Sequence, residues 1–298
     1  MTKLDPIELE ILWNQLGAIV DEAAAALVRT SFSTVVREAN DFAVVLLDEN
    51  GYNLAQSSLS SAGFNGTAPL TLREFLKVYP KETLRQGDIL FSNDPWIGTG
   101  HLPDTTMAAP VFVGSRIVAY VVTVAHLSDI GGRQWSADAN EVYEEGILIP
   151  VSKIYRAGKP NSALLNIIRA NVRVVDEVVG DIGAQVAAIN VATRRLREFM
   201  RESGMSDLRV LAHAIFDVSA RTLKREIDAI PPGTYVGEVE ADGWDQPIRI
   251  RAAITVRNGR ISVDYTGSSP QDRFGINESY NHTFAFTVYP FCQQGNAG

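Results

Sequence analysis

The sequence predicts an α+β fold, with mixed sheets, an N-terminal helix, a helical middle and a β-rich C-terminal part. Three observations lead there. Apolar residues recur with a helical period over residues 11–27 and again over 175–189. Continuous apolar runs at 42–47 and 117–125 have the length of buried strands. After Pro231-Pro232-Gly233 the pattern alternates from one residue to the next. These changes divide the chain into an α/β region (1–160), a helical region (161–230) and a β-rich region (231–298).

Taken in order, Asp5 and Pro6 suit the cap and first position of the opening helix, since proline has no N–H to leave unpaired there. Glu8 suits the capping box. Ile11, Leu12, Leu16, Ile19, Val20, Ala23 and Leu27 share the apolar face of this helix. Residues 42–47 then form a strand, Asp48-Glu49-Asn50-Gly51 a turn, and 52–56 a returning strand. A short helix is expected at 71–79, with strands at 88–91, 107–113 and 117–124. Two loops rich in glycine, aspartate and other turn residues lie among them, at 92–104 and 126–140. Residues 162–228 read as helical with a break at Ser203-Gly204. Strands follow at 234–240, 248–256 and 260–265, the last two joined by an Asn258-Gly259 hairpin turn.

Composition narrows the function. Hydrophobic residues make up 46% and charged residues 21%, so the chain has enough apolar surface to offset the entropy of ordering. The net charge is −8, with both signs interspersed, and no basic stripe exists to follow a phosphate backbone. Nucleic acid is excluded as a partner on that ground. Cys292 is the single cysteine, so no internal disulfide forms and a reducing compartment fits. The N-terminus shows no secretory leader, and the run 117–125 is far shorter than the roughly 20 residues of a membrane span. The expected location is the cytoplasm, away from membranes.

Chemistry concentrates in the two loops. His101-Leu102-Pro103-Asp104 sets an imidazole and a carboxylate three residues apart, and His126 closes the apolar strand before Leu127-Ser128-Asp129-Ile130-Gly131-Gly132. If those strands are neighbours, both histidines reach one point. Two imidazoles with one or two carboxylates suit Zn, Mn or Fe and leave a position open for water or substrate. Asp41, at the mouth of strand 42–47, is the natural fourth ligand, and Asp94 and Asp129 are further ligands or orienting groups. Singly, these residues have plainer readings: Asp104 caps a turn, His126 packs at a strand end, Asp41 pairs with Arg37. His213 reads as helix packing, and His282 has no assigned role. Gly98-Thr99-Gly100 lacks the following helix and lysine of a phosphate cradle. No Gly-x-Ser-x-Gly is present, and Cys292 has no histidine partner in sequence.

Ordered motifs then carry a resemblance along almost the whole chain. They include Asp-Pro-Ile-Glu-Leu-Glu at 5–10, Asn40-Asp41-Phe42, Asn93-Asp94-Pro95-Trp96 and Gly100-His101-Leu102-Pro103-Asp104. The run at 126–132, then Glu145-Gly146, Asn171-Val172-Arg173, Gly180-Asp181 and the stretch 264–271 complete the series. The chain resembles the B component of ATP-dependent hydantoinases and oxoprolinases, a family related to the large subunits of acetone and acetophenone carboxylases. It departs from that pattern in having His126-Leu127 where many members have two histidines, in residues 133–136, and in length, so that a truncated chain is expected.

The resemblance implies that Asp41, His101, Asp104 and His126 hold one divalent metal ion, with zinc favoured over manganese or iron. It implies an A-type partner that binds ATP and phosphorylates the substrate, hence a hetero-oligomer. On this reading the chain is a hydrolase component opening a small cyclic amide such as a hydantoin, oxoproline or lactam. Asp129 or Glu145 then orients or deprotonates water. Two alternatives remain at this point: a component of an ATP-dependent ketone carboxylase, and a shortened partner without catalysis.

Overall fold

The computed structural model describes residues 4–134 and 136–293, so Trp135 and residues 294–298, where the truncation is expected, lie outside the described residues. In chain order the elements are α1 (Pro6–Thr30), α2 (Thr34–Arg37), β1 (Phe42–Asp48), β2 (Asn53–Gln56) and α3 (Ala62–Val78). Then come β3 (Ile89–Ser92), β4 (Asp104–Val113), β5 (Arg116–His126), α4 (Val142–Glu145), β6 (Ser152–Arg156) and β7 (Lys159–Pro160). Helices α5 (Ser162–Asn171), α6 (Val175–Glu202) and α7 (Arg209–Ala229) precede β8 (Gly233–Ala241), β9 (Ile248–Arg257), β10 (Arg260–Asp264) and α8 (Tyr280–Gln293).

The larger sheet has seven antiparallel strands in the order β2-β1-β5-β4-β3-β6-β7. Helices cover both of its faces. Phe42, Val44 and Leu46 of β1, with Val121 and Ala125 of β5, join the apolar faces of α1, α6 and α7. Their alternates Ala43, Val45, Leu47, Tyr120, Val122 and Val124 pack instead with Phe64, Ala68, Leu72 and Phe75 of α3. A strand buried on both sides has no polar face to show, which is why β1 and β5 read as unbroken apolar runs. Each fully buried Leu, Val or Phe contributes about 1.5–3 kcal/mol relative to exposure, so much of the packing energy lies in this sheet.

Helix α1 is the one described helix long and apolar enough to cross a membrane, a feature the short apolar runs in the sequence do not reveal. Its apolar face lies in the core, through Leu16, Val20, Ala23 and Leu27. Asp5 stands at its cap position without a side-chain hydrogen bond, and Ile11 points outward, 53% exposed, while Leu9 takes its place inside. Helix α3 begins at Ala62, well before residue 71, because Gly63 and Gly66 are where α8 presses in. A Cβ at those positions would stand 2.6 Å from Phe286 and Ala285. The helical middle breaks at Ser203-Gly204 as expected, and again at residues 172–174. His213 is exposed on α7 rather than packed.

The second sheet, β10-β9-β8, is a meander whose Asn258 and Gly259 take positive φ of 54° and 67° in the hairpin turn.

Candidate metal centre

Strand pairing builds the site. Asp104, the first residue of β4, lies directly across from His126, the last of β5, and the amide of His126 donates to the carbonyl of Asp41 at 3.1 Å. Parity then puts the side chains together. Asp41, Asp104 and His126 are in step with Ala43, Ala108 and Val124, whose side chains face α3. All three therefore emerge at one end of the sheet on its α3 side.

The loop 93–103 brings His101 to the same point. Asn93 clamps this loop by donating to the carbonyls of Leu102 and Ile147, at 2.8 and 2.9 Å, while accepting from the amide of Ile149. His101 Nε2 lies 2.8 Å from one oxygen of Asp104, and His126 Nδ1 lies 2.9 Å from the other. The two rings are 5.1 Å apart, and Asp41 Oδ2 is 3.7 Å from His126 Nδ1. Thr99 adds a hydroxyl bond of 2.5 Å to Asp104. Among the described residues, His101, Asp104 and His126 are the cluster whose donor atoms lie close enough to share an ion, all within 4.8 Å.

The electrostatics follow from burial. Asp104 is 4% exposed, and burial opposes its charge, but hydrogen bonds from both imidazoles outweigh that cost and hold its carboxyl below the usual range. Burial pushes Asp41 upward and the neighbouring Asp104 charge adds to it, against the pull of the two histidines. Burial draws His101 down, yet its bond to Asp104 and the charges of Asp104, Asp41 and Glu145 leave it raised. Two nitrogens and a carboxylate thus converge on one point, and the donor set fits a divalent metal. Ion uptake at such a site releases protons.

Glu145 is brought in by the second loop. The amide of Arg133 bonds the carbonyl of Glu144 at 2.7 Å, and that of Ile147 bonds Ile130 at 2.9 Å. Gly132, at φ +55°, permits this approach, since a Cβ would stand 2.5 Å from the carbonyl of Glu144. Glu145 is half-buried. Burial raises its pKa more than the amide of Leu102 and the charge of His101 lower it.

Asp129 corrects an expectation. It does not join the cluster. Its carboxylate accepts from the amides of Gly131, Arg173 and Val174, from Gln134 and from the Arg173 guanidinium. Burial raises its pKa, but these bonds more than reverse the effect. A carboxylate so occupied ties the Gly-Gly loop to the α5–α6 junction and is a poor base. Asp94 similarly turns onto the amide of Trp96 at 3.0 Å. Sequence reasoning missed Thr99, for which loop position was the only signal, and gave Asn93 no role although it opens the Asn93-Asp94-Pro95-Trp96 motif.

The model for hydantoinase B/oxoprolinase matches residues 5–294. The chain belongs to that family. It is 31% identical over 284 residues to a Pseudomonas sp. (strain NS671) protein named as the B component of a putative D-/L-hydantoinase, covering 91% of this chain and 48% of that one. To the beta chain of the caprolactamase of Pseudomonas jessenii it is 28% identical, covering 93% and 48%. The crystal structure of the ATP-dependent caprolactamase from that organism superposes with a TM-score of 0.87 at 27% identity, over 95% of this chain and 50% of the other. An acetone carboxylase structure shares the fold, with a TM-score of 0.82 at 20% identity, over 97% and 41%. This member of the hydantoinase B family thus spans about half the length of the first curated relatives it matches.

Proposed function

We propose that the chain is the metal-bearing B component of an ATP-dependent cyclic amidase, acting in the cytoplasm on hydantoin, oxoproline or lactam rings beside an ATP-binding A-type partner. The observation that carries this reading is the meeting of His101 and His126 on the one buried carboxylate of Asp104, with Asp41 and Glu145 alongside. Relatives named as components of a hydantoinase and a caprolactamase support the substrate class and a hetero-oligomer.

In this reading His101, Asp104 and His126 hold one divalent ion and Asp41 is the fourth donor. Two imidazoles with carboxylates favour zinc, and manganese or iron suit the same donors. Such an ion, when bound, polarises a carbonyl and eases the ionisation of water. The protein's own part is positional and acid–base. An amide is a poor electrophile, so the partner's ATP activates its oxygen by phosphorylation before this site acts. Glu145, lifted by burial and held by the amide of Leu102, takes a proton from water. Asp129 keeps the loop that carries Glu145 in place.

Elemental analysis tests the metal: wild type is expected to carry about one ion and His101→Ala almost none. Equal content in both proteins would end the reading. With the A-type partner and ATP, ring opening is expected. Incorporation of labelled bicarbonate into ketones, with no turnover of rings, would move the assignment to a carboxylase.

A further inference from the structure

The segment from Gly275 to His282 lies along both ligand-bearing loops and brings a third histidine to them. The amide of Gly275 donates to the carbonyl of Ala137 at 3.2 Å, beside the loop that follows His126. Asn281 Nδ2 donates to the carbonyl of Ile97 at 2.7 Å, in the loop that carries His101. Ser279 and Asn281 are buried at 4% and 8% exposure, so α8 is seated on that loop rather than resting near it. A Cβ on Gly100, the neighbour of His101, would point at Glu278 Oε2 (3.4 Å), Ser279 Oγ (3.7 Å) and His282 Cβ (3.7 Å). Asp41, Asp104 and His126 emerge on the α3 side of the sheet, and α8 packs against α3, with Phe286 over Gly63. The start of α8 is therefore seated against the loop that carries His101.

His282 is fixed by two neighbouring side chains. Its Nδ1 is 2.5 Å from Glu278 Oε2, and its ring rests on Phe286 with centroids 4.5 Å apart. The side chain is 25% exposed. In the tautomer that donates Nδ1–H to the carboxylate, Nε2 carries a lone pair. Such a nitrogen accepts one hydrogen bond and recognises an N–H.

We propose that His282, oriented by Glu278, contacts the ring N–H of the cyclic amide and selects rings that carry one. This rests on the reading of the site as a cyclic amidase. Glu278 is a positioning residue that acts through His282, and Phe286 limits the ring's rotation. Among the four histidines, His101 and His126 then face the metal, His282 faces the substrate and His213 neither.

The test is an NMR titration of the zinc-loaded full chain with 15N-labelled histidine, the His282 signal being assigned by its loss in His282→Gln. Hydantoin and 2-pyrrolidinone are expected to shift Nε2 of His282 and leave His213 still. N-methylpyrrolidinone, which has no ring N–H, is expected to leave both still. Glu278→Gln should weaken the ring's affinity by about tenfold, the scale on which an orienting partner of a site histidine acts, without changing zinc content. The inference is overturned if N–H rings leave His282 unmoved, or if the N-methylated ring moves it as much. Zinc addition reads the metal assignment separately through His101 and His126. Should those two not respond, the metal reading fails while the ring titration still judges His282.

Discussion

The two sheets of this protein are built to different standards. Every residue of β1 in the seven-stranded sheet is buried, whereas every residue of β8 in the three-stranded sheet is exposed. In the small sheet Val256 is the single buried strand residue, so pairing of the backbone and contact with the end of α7 hold it. The large sheet is clamped between α1, α6 and α7 on one side and α3 on the other. Side chains that must converge to within a fraction of an ångström need such a frame, and the candidate ligands stand at its end.

The sharpest check on this contrast is at the frame's chemical end. Asp104→Ala removes the carboxylate shared by both histidines, and zinc affinity should fall by about 1,000-fold or more, since the roughly 10–16 kcal/mol of a structural zinc site is shared among its few ligands. Competition with a chromophoric chelator measures it, and a fall of only a few fold would show that the frame is not organised around Asp104.

Next comes the core itself. Leu46→Ala, wholly buried against α1, should cost about 4 kcal/mol in urea unfolding. Val239→Ala, 61% exposed on β8, should stay within about 0.5 kcal/mol. Equal losses would dissolve the contrast between the sheets.

The far edge of the large sheet adds a pH test. Asp88 is buried and bonded to Lys153 at 2.6 Å. Burial raises its pKa, but the Lys153 bond and the amides of Ala157 and Arg85 more than compensate, so the folded value lies below the unfolded one. A depressed carboxyl contributes stability that is full above its unfolded pKa, about 3.9, and is lost as pH falls through the folded pKa. Asp88→Asn should therefore cost about 3 kcal/mol at neutral pH, and its deficit relative to wild type should shrink on acidification below about pH 4. A deficit that stays constant from pH 7 to pH 3 would refute the assignment.

The same contrast decides what was legible in the sequence. Strands β1 and β5 could be read because both faces are covered, and the hairpin at Asn258-Gly259 because local turn chemistry alone specifies it. The meeting of His101, Asp104 and His126 could be read because strand ends carry polar residues that nothing local explains. What escaped depends on distant partners. The first half of α3 looks unhelical, with two glycines and Pro69, until α8 is placed on it. Asp129 looks like a site carboxylate until Arg173 is brought to it from 44 residues away. His282 looks idle until Gly100 is beneath it.

The smallest effect belongs to the small sheet. Gly259 sits at φ +67° in the β9–β10 turn, where an L side chain is strained, and a Cβ there would lie 2.7 Å from Lys224 Nζ and 2.8 Å from Asp228 Oδ1. Both of those groups end flexible, exposed side chains on α7 that can swing away, so the backbone conformation is what sets the penalty. Gly259→Ala should cost about 1 kcal/mol, and Asn258→Gly, which relieves the neighbouring positive φ, should cost close to nothing. Neither variant should alter zinc affinity. Should Gly259→Ala release the metal as well, the two sheets would be one cooperative body, and the small one would belong to the frame that holds the site.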